Sequence, residues 1–69
     1  MTRQQLISAA TEYAKKQGWK VENYAVTDVR RVRGQCAVFF TGKSKRPGDH
    51  FTVYLDCETG KVLRLIPGR

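Results

Sequence analysis

A chain of 69 residues, 41% hydrophobic and 28% charged, has room for one domain over residues 1–69 and is too apolar to be read as disordered. So short a chain hides only about 60% of its unfolded surface. A deep substrate cavity would consume that thin core, which favours a binding or assembly module over an enzyme. Thirteen Lys and Arg against six Asp and Glu give a formal charge of +7, a balance suited to acidic partners.

Residues 2–17 read as a helix. Thr2 and Gln5 form a T-x-x-Q capping box, each side chain reaching an orphan backbone N–H. Leu6, Ala10, Tyr13, Ala14 and Gln17 recur at helical spacing with Ile7 beside them. The alanines narrow this stripe, so the helix can lie close on a sheet. Lys15 and Lys16 occupy the last turn, where the helix dipole favours cations. Gly18 is the left-handed stop, and Trp19 is placed to fold back and seal one end of the core.

From Lys20 the period changes to two. Val21, Tyr24, Val26, Val29 and Val32 belong to a long first strand. Its phase slips between Val26 and Val29, which calls for a bulge or a bend. Gly34 marks a turn. Residues 35–41 form a second, central strand with Cys36, Val38 and Phe40 on one face and Ala37 and Phe39 on the other. Residues 42–49 are a polar loop. Residues 50–55 form a third strand with Phe51, Val53 and Leu55 alternating against Thr52 and Tyr54. Residues 56–60 make a tight hairpin connection in which Gly60 suits a positive φ. Residues 61–66 are a fourth strand, ended by Pro67 and Gly68. The order α-β-β-β-β, with short connections, predicts an α+β fold: one N-terminal helix packed on a four-stranded antiparallel β-meander.

The run Phe51-Thr52-Val53-Tyr54-Leu55-Asp56-Cys57-Glu58-Thr59-Gly60-Lys61-Val62-Leu63 resembles the final hairpin of PepSY domains: a strand, an Asp, a Thr-Gly turn and a Lys-Val strand. Small cystatin-like proteins, some bacterial immunity proteins among them, are similar at the same place. The resemblance implies a non-catalytic binding or inhibitory module and carries no catalytic residues.

The residues themselves offer little chemistry. His50 is the single histidine and reads as a surface residue opening a strand, because Asp49 beside it points to the other face. Ser8 and Ser44 lack an activating base. Asp56 and Glu58 flank Cys57 and raise rather than lower its pKa. One His and two Cys cannot complete a four-ligand zinc site, and nothing calls for a cofactor. No apolar run approaches the ~20 residues of a membrane span. Polar residues interrupt the N-terminus by Ser8 and Thr11, unlike a secretory signal, so a cytoplasmic protein is expected. Cys36 and Cys57 fall at the same end of neighbouring strands and approach disulfide distance, but that compartment predicts free thiols.

The strongest functional hint is positional. The end of the helix, the start of strand one, the 42–49 loop and the end of strand four share one pole. This gathers Lys15, Lys16, Lys20, Lys43, Lys45, Arg46 and Arg69, with Asp49 the nearest acid. At the opposite pole Asp28, Asp56 and Glu58 partly balance Arg30, Arg31 and Arg33. The expected function is recognition of another protein, acidic in character and inhibitor- or immunity-like, through this pole or the sheet face. Nucleic acid is the alternative partner, with cations on phosphates and Tyr or Trp stacking on bases. The helix shields one sheet face only. Apolar residues lie in both phases (Val38 and Phe40 against Phe39, Leu63 and Leu65 against Val62 and Ile66), so a homodimer through the uncovered face is a further expectation.

Overall fold

The computed structural model describes residues 1–44 and 48–68. Helix α1 (Arg3–Lys16) is followed by a 3-10 turn (Val21–Asn23) and strands β1 (Tyr24–Val32), β2 (Gln35–Gly42), β3 (His50–Asp56) and β4 (Val62–Pro67). The strands form one antiparallel sheet in the order β1-β2-β3-β4, the α+β meander expected from the sequence.

Helix α1 begins and ends as its sequence dictates. Thr2 Oγ1 accepts the Gln5 N–H at 3.1 Å, and Gln5 Oε1 accepts the Thr2 N–H at 2.9 Å, the reciprocal capping box. At the other end Gly18 takes φ +94°. Its N–H donates to Lys15 O, and the Trp19 N–H donates to Ala14 O at 3.0 Å, which completes a Schellman motif. Leu6, Ala10 and Ala14 are buried. Trp19 is thereby turned onto Phe51, ring centroids 4.3 Å apart, and Phe51 stacks on Phe40 at 4.5 Å. With Tyr24, 4.9 Å from Phe51, these rings close one end of the core.

Two local readings change. Strand β1 starts at Tyr24, not Lys20, because Val21–Asn23 coils into a 3-10 turn held by the Asn23 N–H on Lys20 O at 2.9 Å. Val21 and Tyr24 both pack on the core, and their spacing of three is the period of that turn. The slip in β1 is a bulge between Val26 and Asp28, as expected. A second bulge between Tyr54 and Leu55 shifts β4 by one residue. It places both Val62 and Leu65 against the core and leaves Leu63 and Ile66 exposed.

The cysteines are a correction. Cys36 and Cys57 form a disulfide, Cα–Cα 5.2 Å, where free thiols were expected. Their proximity follows from register: Cys36 faces Leu55 across β2–β3, and the Cys57 N–H donates to Gly34 O. The thiol expectation rested on compartment alone, and geometry supplies what a bond requires. Both cysteines are buried beside Leu6, so the bridge extends a core that a short chain cannot otherwise enlarge.

Candidate functional site

Two surfaces carry unusual charge. The first is the basic pole. The Lys43 N–H donates to Asn23 O at 2.9 Å, and the Gly42 N–H to Asp49 O at 2.7 Å. The first bond holds the end of β2 against the start of β1, and the second holds it against the residue that leads into β3. Lys20 and Lys43 line one cleft there with Trp19, Tyr24, Ser44 and Asp49. Lys15 and Lys16 stay on the exposed last turn of α1. Lys45, Arg46 and Arg69 lie outside the described residues.

The centre of the cleft is acidic. Asp49 accepts the Tyr24 hydroxyl at 2.7 Å and the Ser44 hydroxyl at 2.8 Å. That bond to Asp49, aided by desolvation and by the carboxylate's charge, pushes the Tyr24 phenol above its ordinary value. A Cβ on Gly42 would collide with Asp49, so glycine is required for this seat. The lysines therefore flank a fixed carboxylate rather than an empty cationic basin.

The second surface is the sheet face turned away from the helix. Register builds it in rows. Arg30, Ala37, Tyr54 and Arg64 make one transverse row, and Asp28, Phe39, Thr52 and Ile66 the next. Guanidinium groups lie over the rings: Arg64 Cζ is 4.3 Å from the Tyr54 centroid, and Arg30 Cζ is 5.5 Å from that of Phe39. The methyl of Ala37 leaves a hollow of about 340 Å³ between these longer side chains, with Val32, Arg33 and Gln35 at its rim.

The charge balance read from sequence holds here for one arginine. Arg30 Nε donates to Asp28 Oδ2 at 2.7 Å, and this contact leads the forces that hold the Asp28 carboxyl below its ordinary value. Asp56 is used elsewhere. It accepts the Glu58 and Thr59 N–H groups at 2.8 and 3.0 Å, which lowers its own pKa. Among the described residues Arg33 and Arg64 have no carboxylate within ion-pair distance.

His50 is exposed and its carbonyl accepts the Gly68 N–H at 2.6 Å. No group of three or more His, Cys, Asp or Glu able to hold a metal is present among the described residues, and none of their helices is long and apolar enough to cross a membrane. Arg64 and Tyr54 are not singled out from the sequence as functional residues, and Phe39 enters only as an apolar residue of the uncovered face. The available signal was the polar-phase position of two aromatics on strands whose other phase is fully apolar.

Comparison with known proteins yields no match to a family model, a curated protein or a solved structure.

Proposed function

We propose that the chain is a non-catalytic module that recognises an acidic protein partner through the sheet face opposite the helix. The observation that carries this reading is the pair of cross-strand arginine–ring contacts, Arg64 on Tyr54 and Arg30 on Phe39, on a face that also exposes Val32 and Ile66. Aromatic and arginine side chains supply much of the energy of protein interfaces. The PepSY-like and cystatin-like character of the last hairpin fits the same inhibitor- or immunity-like role.

A second copy of the chain fits this face less well. A twofold pairing would set a face carrying Arg30, Arg33 and Arg64 against a copy of itself, with Asp28 of its rows already engaged by Arg30. Sedimentation over a wide concentration range tests this, and monomer is the expected result. Nucleic acid is the second reading, supported by the +7 charge and by Lys20 and Lys43 beside Trp19 and Tyr24 in the polar cleft.

The test is affinity capture from the native host with the wild-type chain and with Ile66→Glu plus Thr52→Glu, both on the outer face. The protein reading expects a partner that survives nuclease and high salt and is lost with the double variant. Capture that collapses with salt or nuclease supports nucleic acid. The disulfide favours an oxidising compartment over the cytoplasm expected from sequence. Alkylation of accessible thiols before lysis, scored on Cys36 and Cys57 after denaturation, reads that compartment directly.

A further inference from the structure

We infer that the hollow over Ala37 is an anchor pocket for a carboxylate carried on an apolar stretch of an acidic peptide. The inference rests on the protein-binding reading of the outer face and names the chemistry that face selects.

The floor and the rim make different demands. The floor is the Ala37 methyl between Phe39 and Tyr54, and the rim is cationic through Arg30, Arg33 and Arg64. Burying that floor favours apolar atoms. Covering the rim without an acid would strip water from two guanidinium groups that have no carboxylate partner, at high cost. An acidic side chain flanked by leucine-like residues satisfies both. Arg64 is already prepared for it. Its Cζ lies 4.3 Å from the Tyr54 ring centroid, a contact that uses none of its five N–H donors on a carboxylate, so they remain able to grip one in bidentate fashion.

Arg33 supplies an independent argument. It sits at φ +50° in the two-residue β1–β2 turn, followed by Gly34 at φ +79°. Turns of this kind favour Asn, Asp or Gly at both positions. Among the described residues Arg33 is the only non-glycine with positive φ. A long cation held at a backbone cost that Asn would avoid, at the rim of a cationic hollow, points to use of its side chain.

A single-stranded nucleic acid fits this place less well. Bases stack on bare ring faces, and these rings already carry guanidinium groups. A phosphate chain continuing along the sheet would also meet Asp28 in the neighbouring row.

The probe is acetyl-Leu-Asp-Leu-Glu-Leu-amide, titrated into the full chain and followed by backbone amide shifts. Its controls are the Asn/Gln peptide of the same pattern and an oligothymidylate. Saturable shifts at Ala37, Tyr54 and Arg64 are expected with the acidic peptide. Affinity should fall about ten- to a hundredfold for the amide control, for Arg64→Gln and for Arg33→Asn, the range of a lost charged hydrogen bond. Arg33→Asn should also raise the melting temperature, which separates loss of a ligand contact from loss of fold. Equal binding of the amide peptide, shifts centred on Lys20 and Lys43, or preference for oligothymidylate each overturns the inference. If the acidic peptide misses the hollow while Ile66→Glu plus Thr52→Glu still abolishes protein capture, the pocket is rejected and the protein-binding face stands. If both fail, the face itself is rejected.

Discussion

The two faces of the one sheet obey different rules. Toward the helix, the rows Val26-Phe40-Phe51 and Val29-Val38-Val53-Leu65 are wholly apolar, and Val38, Phe51 and Val53 retain no exposure at all. Away from it, the same strands present Asp28, Phe39, Thr52 and Ile66, then Arg30, Ala37, Tyr54 and Arg64. The inner rows are dictated by folding, since a thin core tolerates neither a cavity nor an unpaired polar group. The outer rows are under no such constraint, so their composition carries the information about partners. Large apolar and cationic groups side by side are not what solubility alone would select.

The contrast is tested most strongly at Phe51, which touches Trp19, Tyr24 and Phe40. Phe51→Ala should cost about 3–5 kcal/mol in denaturant unfolding. Ile66→Ser, on the outer face and 45% exposed, should stay within about 0.5 kcal/mol. Comparable losses at the two positions would mean that the outer face is also covered when the protein folds.

The disulfide comes next. It joins residues 21 apart in sequence, and a loop of that size is worth about 3 kcal/mol of stability when closed. Reduction should lower the denaturation midpoint accordingly, with the Cys36→Ala plus Cys57→Ala variant insensitive to reductant. A wild-type midpoint unmoved by reductant would show that the bridge is not formed. At the helix start, Thr2→Ala removes one half of the capping box and should cost about 1 kcal/mol. The loss should be smaller in a background where Gln5 is already replaced, because the two bonds form one unit.

Much of this organisation is legible in the sequence because it is local. Thr2 with Gln5, Gly18 with Trp19, and the Val26–Val29 slip each depend on residues a few positions apart. The bulge opposite Tyr54 was not legible. Lys-Val-Leu-Arg-Leu-Ile contains apolar residues in both phases, and only pairing with β3 decides that Val62 and Leu65 turn inward. The candidate sites divide in the same way. Lys20 and Lys43 could be gathered at one pole from topology alone. That Asp49 sits at its centre under two hydroxyls depends on side-chain geometry from three segments. The Arg64–Tyr54 and Arg30–Phe39 contacts are cross-strand, and a register error of one residue would have put those side chains on opposite faces.

The smallest effect separates two carboxylates on the outer half of the molecule. Asp28 and Asp56 both have pKa values held below the ordinary carboxylate range, Asp28 chiefly by the Arg30 guanidinium and Asp56 by the Thr59 and Glu58 N–H groups. A lowered folded-state pKa means that the unfolded chain binds the proton more readily. Each therefore contributes stability that is fully present above the unfolded value, about 3.9, and is lost as pH falls through the lower folded value. The causes differ, and so should the response to salt. Charge pairing between exposed groups is screened within a Debye length, whereas a backbone N–H bond within a turn is not removed by ions. Asp28→Asn should flatten the acid decline of stability at low salt and change it little at high salt. Asp56→Asn should flatten it at both, while keeping the turn, because an Asn oxygen accepts the same N–H groups. Acid unfolding profiles of the two variants at two ionic strengths check this. Identical salt behaviour would place Asp28 under the control of the Val29 N–H, which it accepts at 2.9 Å, and would leave Arg30 freer for a partner than its 2.7 Å contact with Asp28 indicates.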